Sequence, residues 1–313
     1  MNPYVSVVVP VYNEEDNLEA LYTRLTAVLD AIGRPYEILF TNDGSRDRSG
    51  QLLRQFHGQR PKQIRVIDFN GNFGQHMAIM AAFEHARGDV VITIDADLQN
   101  PPEEIPKLLA AIDAGHDVVG SYRKQRQDNF FRRYASKLLN VIRERTTGIR
   151  MRDQGCMLRA YRRIIVDNIT ASGEASTFIP ALAMSYAANP AEVEVEHAAR
   201  AAGTSKYKLY DLVRLNFDLM TGFSMLPLQI FTVVGVVISI LSGLLVLILV
   251  VRRLTVGPEA EGLFTLFAIL YFFVGVAIMG LGVIGEYIGR IYQEVRRRPR
   301  FVIRKIYEQL DDK

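Results

Sequence analysis

The 313-residue chain has one cysteine, little net charge and no phosphate-binding glycine loop. The single cysteine, Cys156, excludes an intramolecular disulfide and fits a reducing compartment. Its 37 Lys and Arg residues exceed its 34 Asp and Glu residues by only three, so we expect no nucleic-acid partner. No Gly-Lys-Ser/Thr loop occurs and no Gly-x-Gly-x-x-Gly follows a predicted strand, which argues against P-loop enzymes and Rossmann dehydrogenases.

The first residues show no pattern typical of a targeting segment. No basic stretch followed by an apolar core opens the sequence, so we expect no signal peptide. The first two-thirds of the chain are therefore expected to fold in the cytoplasm. Most of the uninterrupted apolar sequence lies after residue 225, which predicts two parts of different character.

The first hundred residues alternate apolar, β-branched runs with helical patterns. One helix is predicted from its face of Leu18, Leu21, Leu25, Val28 and Leu29, and others span about 47–56 and 75–86. Alternation of this length predicts a doubly wound α/β domain with a mostly parallel sheet. The predicted strands are residues 5–11, 36–41, 64–69 and 90–94.

Two carboxylates, Asp95 and Asp97, follow the last of these strands. Positions i and i+2 of an extended chain project to the same side, so both are expected to face one point. Such oxygens suit a hard divalent cation that also carries phosphate oxygens. An Asp at a strand end also serves as a turn or cap residue, and this pair alone leaves both roles open.

Polar loops follow each predicted strand. Ligands of doubly wound sheets bind beyond the carboxyl ends of the strands, where these loops are expected to converge. Turn formation accounts for Asn, Asp and Gly there, but not for a carboxylate in three of the four loops. The loops are residues 12–15, 42–45, 70–74 and 95–99.

Three of these loops resemble the nucleotide-sugar-binding core of the GT-A, family 2 glycosyltransferases. They are Pro-Val-Tyr-Asn-Glu-Glu at 10–15, Asp-Gly-Ser with Asp47 at 43–47, and Asp-Ala-Asp-Leu-Gln with two prolines at 95–102. Further motifs resemble the bacterial polyprenyl-phosphate glycosyltransferases, and among them the 4-deoxy-4-formamido-L-arabinose transferase subgroup. These are Asn-Phe-Gly-Gln at 72–75, Gly-Cys-Met-Leu-Arg-Ala-Tyr at 155–161, Ser-Lys-Tyr at 205–207 and Gly-Glu-Tyr-Ile-Gly-Arg at 285–290.

The resemblance implies a role for each matching position. Asp43 would accept a hydrogen bond from the base, and Asp95 would contact the ribose or support the metal. Asp97, with Gln99, would hold Mg²⁺ or Mn²⁺ against the donor diphosphate, although Gln99 equally suits a cap before the proline pair. The uracil and ribose pocket would be lined by Pro10, Tyr12 and Glu14, with Ala96 also counted among the donor-binding residues.

Later positions carry the remaining candidate residues. Arg200 and Lys206 bracket a loop of small residues that, with the Ser205 hydroxyl, can approach a phosphate closely, and a plain surface loop is the alternative. The resemblance implies that this loop contacts the donor diphosphate and a lipid phosphate. Asp153 suits a base or sugar-binding role and equally a turn. Cys156 is not expected to act as a nucleophile. Residues 125–145 form a basic amphipathic segment, either a solvated surface helix or a membrane-facing loop.

The last third predicts a membrane anchor. Two uncharged runs each exceed the roughly 20 residues that cross a bilayer as helix, and basic residues on their outer flanks place both ends in the cytoplasm. The expected organisation is a catalytic domain at 1–206, an amphipathic juxtamembrane helix at 207–226, spans at 227–252 and 263–285, a periplasmic loop at 253–262 and a basic cytoplasmic tail at 286–313. Residues 301–310 are expected to pack back on the catalytic domain.

These features predict an inverting, metal-dependent transferase in the bacterial inner membrane. It would move a sugar from a UDP donor to undecaprenyl phosphate, with 4-deoxy-4-formamido-L-arabinose for lipid A modification as the implied sugar and glucose or another hexose as the alternative. A processive polysaccharide synthase is disfavoured because the chain has no tryptophan and only two spans. The intact carboxylates and cations argue against a non-catalytic scaffold. The resemblance suggests a homo-tetramer.

Overall fold

The computed structural model describes residues 3–123, 151–153, 155–172, 178–196, 226–257, 263–296 and 299–309. The chain forms two compact units. The first comprises Met1–Ser136, Ile149–Lys206 and Arg298–Lys313, and the second comprises Lys137–Gly148 and Tyr207–Arg297.

The first unit is built on one eight-stranded sheet in the order β7-β5-β6-β4-β1-β2-β3-β8. Strands β4, β1, β2 and β3 are parallel neighbours and β5 pairs in parallel with β7, whereas β6 and β8 run antiparallel to their neighbours. The predicted α/β class with a mostly parallel sheet is therefore confirmed. The strands are β1 Val5–Val11, β2 Tyr36–Asn42, β3 Ile64–Phe69, β4 Val90–Thr93, β5 Val118–Arg123, β6 Arg159–Arg162, β7 Pro190–Val195 and β8 Ile303–Tyr307.

Helices cover the sheet with faces set by their apolar spacing. The first helix buries Leu18, Leu21, Leu25 and Leu29, four of the five predicted positions, and ends at Gly33 in the left-handed conformation. Pro102 opens a short 3₁₀ turn ahead of the fourth helix, where proline is favoured because the first turn needs no backbone N–H donor. The helices are α1 Glu15–Ile32, α2 Ser49–Gln59, α3 Gln75–His85, α4 Ile105–Asp113, α5 Arg163–Ala171 and α6 Ile179–Tyr186.

The C-terminal strand β8 completes the sheet at its β3 edge. Its residues Ile303–Tyr307 pair antiparallel with β3, so this part of the tail packs back on the first unit, as expected. At the amino ends of the parallel strands, the carboxylate of Glu308 accepts hydrogen bonds from Arg65 and Arg87. Arg65 also pairs with Glu37, whose carboxylate accepts a hydrogen bond from Ser6. This network fixes the end of the chain to the sheet.

The second unit contains two long apolar helices, α7 Leu226–Val256 and α8 Leu263–Arg296. Within them, Leu228–Thr255 and Ile269–Gly289 are long and apolar enough to cross a membrane. Within the described residues, few or none of the side chains along these stretches are buried, unlike those of a soluble core helix. The Phe231 ring lies against Gly280, where an added Cβ would come within 2.1 Å of the ring, so glycine permits this approach of the two helices.

Candidate functional site

The candidate site lies at the carboxyl ends of β1, β2, β3 and β4. These strands are adjacent in the sheet, so the four polar loops that follow them open on one edge, as the sequence predicts. Six members of the predicted donor-binding set belong to this edge: Pro10, Tyr12, Glu14, Asp43, Asp95 and Ala96. Pro10 is buried in β1, the Tyr12 side chain is 43% exposed, and Asp43 is buried directly after β2.

Hydrogen bonds connect the loop after β1 to the loop after β2. The Asn13 backbone N–H donates to Ser45 Oγ at 3.1 Å, and Asn13 Oδ1 accepts from the Arg46 backbone N–H at 2.8 Å. The backbone N–H of the next residue, Glu14, donates to Ser49 Oγ of α2 at 3.0 Å. Asn13 adopts a left-handed φ of 55°, which Asn tolerates better than most residues. The loop that carries Tyr12 and Glu14 is thus held in place.

Asp43 fixes the loop after β3. Its Oδ1 accepts the Phe73 backbone N–H at 2.6 Å and its Oδ2 accepts the Gly74 backbone N–H at 2.9 Å. Burial raises the pKa of this carboxyl, and the two backbone hydrogen bonds oppose that shift. Each carboxylate oxygen has a second lone pair, so these bonds leave room for a donor group of a ligand.

Gly44 lets the same two loops touch. Its φ is +67°, and an added Cβ would lie 2.5 Å from the Gly71 carbonyl carbon. A side chain at this position would meet both backbone strain and a backbone clash. The glycine of the Asp-Gly-Ser motif is therefore required by close approach of the loops after β2 and β3.

The predicted metal ligands stand beyond β4. The strand ends at Thr93 and the chain turns at Ala96 and Asp97, with Ala96 buried in the core between the partly exposed Asp95 and Asp97. Asp95 Oδ1 accepts a hydrogen bond from Gln75 Nε2 at 2.6 Å. Asp97 Oδ1 accepts the Gln99 backbone N–H at 3.1 Å across a turn in which Leu98 has a φ of 61°. The pair is thus presented by a strained turn.

This carboxylate pair fits a metal that a ligand helps to complete. Within the described residues no cluster of three or more His, Cys, Asp or Glu side chains has metal-binding geometry. Mg²⁺ is commonly held by one or two carboxylates, with phosphate oxygens and water filling its other positions. Two partly exposed carboxylates supply the hard oxygen ligands for that arrangement.

Two adjoining cavities open beside the loops. The larger, about 570 Å³, lies against the start of α2, and the smaller, about 260 Å³, lies between the loops after β1, β2 and β3. Tyr12 and Asn72 line the smaller cavity, whereas Asp95 and Asp97 line neither. Arg304 of β8 lines both, a contribution that the sequence patterns did not indicate.

Asp153 forms a buried ion pair. Its Oδ2 accepts from Arg123 Nε at 2.6 Å and its Oδ1 from Arg123 Nη2 at 3.1 Å, while the Gly155 backbone N–H donates to Oδ1. The contact to Gly155 is the turn role that the sequence left open. Both carboxylate oxygens therefore already accept hydrogen bonds from within the chain. The geometry therefore favours the turn role of Asp153 over a role as a base.

Arg159 shapes the same loop from within the core. Fully buried, it donates to the backbone carbonyls of Cys156 and Asp153. Burial raises the pKa of the Cys156 thiol, in line with its expected lack of nucleophilic character. Sequence reasoning missed Arg159, because a charged residue in an apolar run does not show whether it finds internal partners. It also missed Gln75 as the partner of Asp95, although Gln75 closes the motif at 72–75.

Some predicted residues lie outside the described part of the chain. These are Arg200, Ser205 and Lys206, the basic amphipathic segment at 125–145 and nearly all of the juxtamembrane helix expected at 207–226.

Comparison with known proteins gives a consistent family. Residues 6–170 match the family described as glycosyl transferase family 2. The chain is 50% identical to the undecaprenyl-phosphate 4-deoxy-4-formamido-L-arabinose transferase of Edwardsiella ictaluri, over 97% of this chain and 94% of that one. It is 51% identical to the protein of the same name from Pectobacterium atrosepticum, over 96% and 93%.

Among solved structures, a glucosyl-3-phosphoglycerate synthase from Mycobacterium tuberculosis, in complex with Mn²⁺, UDP and glucosyl-3-phosphoglycerate, is similar at a TM-score of 0.48. Its identity is 17%, with 70% of this chain and 78% of that one covered. A likeness at that level carries no conclusion about this chain.

Proposed function

Because the chain belongs to glycosyl transferase family 2, and is thus a glycosyltransferase, we propose that it transfers a sugar from a UDP-sugar to undecaprenyl phosphate. One observation carries this proposal: about half of the residues are identical to those of relatives named for that acceptor, over nearly the full length of both chains. A match of this extent includes both long apolar helices as well as the sheet. The proposal therefore assigns both the lipid acceptor and the sugar donor to this chain.

The donor nucleotide would bind at the carboxyl edge of the sheet. Tyr12 offers an exposed ring for stacking on the base, and Glu14 stands next to it on the loop held by Ser49. Asp43 is positioned by two backbone N–H groups and would accept a hydrogen bond from the base. Pro10 and Ala96 would complete the wall of this pocket as small buried residues beneath the ligand.

The diphosphate would lie at the carboxylate pair. Asp97, with Asp95 and Gln99, would hold Mg²⁺ or Mn²⁺, and Gln75 would orient Asp95. Such a metal stabilises the negative charge that develops on the departing nucleotide. The chain's own contribution is to fix both carboxylates at the strand end, so that their orientation is set before the donor arrives.

The transfer itself would be an in-line displacement. An oxygen of the lipid phosphate would attack the anomeric carbon, the bond from that carbon to the UDP oxygen would break, and the configuration would invert. A phosphate acceptor is already ionised at neutral pH, so no strong general base is required. This is compatible with Asp153 being committed to its pair with Arg123. Arg200, Ser205 and Lys206 are proposed to hold the two phosphate groups together.

The protein is proposed to act at the cytoplasmic face of the bacterial inner membrane. The two exposed apolar helices would span the bilayer with the catalytic unit at its inner surface, in the domain limits predicted from the sequence. A basic segment at 125–145 and a helix at 207–226 would contact anionic lipid. Assembly as a homo-tetramer is part of the same proposal.

A donor panel tests the proposal. The purified full chain would be reconstituted with undecaprenyl phosphate and Mn²⁺ and given UDP-4-deoxy-4-formamido-L-arabinose, UDP-glucose or other UDP-hexoses in turn. Mass spectrometry of the lipid fraction should find a single-sugar product, with the formamido-arabinose donor giving the most. A lipid product from UDP-glucose alone would replace the proposed sugar by the hexose alternative. No lipid-linked sugar from any donor would contradict the proposal.

A further inference from the structure

Strand β8 carries a bulge beside the candidate donor pocket. In its pairing with β3, Asp68 lies opposite Lys305 and Phe69 lies opposite Ile303, so Arg304 is left over in the register. A bulge bends its strand and re-aims the side chain of the extra residue. Here that residue is a cation at the carboxyl end of β3, next to the loops that form the site.

The extra residue, Arg304, lines a polar cavity beside these loops. Arg304 lines the cavity of about 260 Å³ together with Tyr12, Gly44, Asn70 and Asn72. The Arg304 side chain is exposed, and its hydrogen bond within the described residues is a long contact of 3.4 Å from Nη2 to Asn70 Oδ1. A guanidinium carries five N–H donors, so this contact leaves most of them for a ligand.

The cavity suits a nucleoside better than a phosphate. It combines an exposed aromatic ring and amide side chains with Arg46 and the carboxylate of Asp68, and the Asp95–Asp97 pair that would meet the diphosphate does not line it. A donor that places its diphosphate at that pair has its nucleoside left for the neighbouring cavity. Aromatic stacking and hydrogen bonds to a base edge are the interactions available there.

We propose that Arg304 contacts the base of the donor nucleotide and selects uracil. This inference rests on the proposed function, since it requires a nucleotide-sugar at this edge. Uracil presents a carbonyl at C4, whereas cytosine presents an amino group at the same place. A guanidinium can only donate, so it pairs with the carbonyl and meets the amino group as a second donor. Arg304 is thereby a specificity-determining residue.

The location of Arg304 links donor recognition to the end of the chain. β8 follows the second long apolar helix, and Glu308 anchors it through Arg65 and Arg87. The nucleotide pocket is therefore complete only when the tail has joined the sheet.

Calorimetry with UDP and CDP tests the inference. The full chain in detergent with Mn²⁺ would be compared with Arg304→Ala, Arg304→Lys and the control Lys305→Ala. Lys305 belongs to the same strand and its removal changes the charge equally, but it packs over the Tyr307 ring and lines neither cavity. Arg304→Lys keeps the charge and removes the planar fork, which guards against a folding defect in the alanine variant.

We expect Arg304→Ala to weaken UDP binding about tenfold, with a smaller loss for CDP, so that the preference for UDP falls. Arg304→Lys should lose part of that preference, and Lys305→Ala should change UDP binding less than about twofold. Unchanged UDP binding by Arg304→Ala, or equal losses for UDP and CDP, would overturn the inference and leave the proposed function standing. A parent protein that binds neither nucleotide would overturn both.

Discussion

Arg65 and Glu308, which are 243 positions apart in the chain, form an ion pair with an Nη2–Oε2 distance of 2.8 Å. Arg65 is also paired with Glu37 at 3.0 Å, and both of these side chains are about 5% exposed or less. A buried guanidinium that loses a carboxylate partner keeps its desolvation cost without the full compensation. The end of the chain is thus part of the electrostatic structure of the sheet.

Glu308→Ala should destabilise the catalytic unit by about 1–3 kcal/mol, because it removes the hydrogen bond from Nε and the ion-pair contact of Nη2 that the buried Arg65 makes with this carboxylate. Arg87→Ala is the matched control. It breaks the other ion pair of Glu308, but Arg87 is 47% exposed and such a pair contributes at most about 1 kcal/mol. Thermal unfolding of the full chain in detergent measures both. Equal losses for the two variants would show that burial of Arg65 does not set the strength of this anchor.

Gly44→Ala should weaken both folding and UDP binding. The new Cβ would meet the backbone of Gly71 at 2.5 Å and the residue would keep a left-handed φ, so we expect a loss of more than about 2 kcal/mol. Gly58→Ala is the control, because Gly58 lies within α2 with nothing within 4 Å of its added Cβ. That change should be neutral or should stabilise the helix by up to about 1 kcal/mol. Similar melting temperatures for both variants would contradict the close approach of the two loops.

The strands next to the site could be predicted because their apolar, β-branched runs are continuous and end in turn residues. β1 and β3 agree with their predicted limits, and the predicted face of α1 is buried apart from Val28, which is half-buried, while Asn17 and Thr26 are buried as well. The location of the site carboxylates could be predicted from the ends of the strands, because parallel neighbouring strands bring those ends to one edge of the sheet. The positions of these site residues are therefore predictable from the local sequence pattern.

Partners distant in the chain could not be predicted in the same way. The bulge that frees Arg304 depends on the pairing of β8 with a strand more than 200 positions earlier, as does the anchor at Glu308. Arg159 is fully buried because backbone carbonyls of a loop fold over it, and no periodicity encodes that. The partners and burial of such residues are set by tertiary contacts, which the local sequence does not encode.

Asp97→Asn should abolish transfer, with a fall of at least about 100-fold in kcat, because an amide replaces the charged metal ligand proposed here. Asp167→Asn is the control, since Asp167 is an exposed residue of α5 whose carboxylate forms a surface ion pair with Arg163 at 3.9 Å. Sugar transfer to undecaprenyl phosphate under saturating donor measures the effect. Full activity of Asp97→Asn would remove the metal assignment.

Acid should destabilise the catalytic unit through His76. Its Nδ1 is buried without a hydrogen-bond partner among the described residues, and burial lowers the pKa of the ring below the usual 6.5. The unfolded chain then binds more protons at low pH, so the stability is complete above about pH 6.5 and is lost as pH falls toward the lowered pKa. His76→Phe removes this titration and keeps a ring against Phe178.

Melting temperatures between pH 7.5 and 5 would measure the contribution of His76 as the difference between parent and His76→Phe. The parent should lose more stability than the variant as pH falls below about 6.5. Parallel curves for the two proteins would contradict the assignment.

Release of UDP tests the central claim most directly. The purified chain would be incubated with UDP-4-deoxy-4-formamido-L-arabinose and Mn²⁺, with and without undecaprenyl phosphate, and the UDP formed would be followed over time. The account predicts rapid release that requires the lipid phosphate and matches the lipid-linked sugar formed mole for mole. Release at the same rate without the lipid, or no release with it, would contradict transfer to a polyprenyl phosphate.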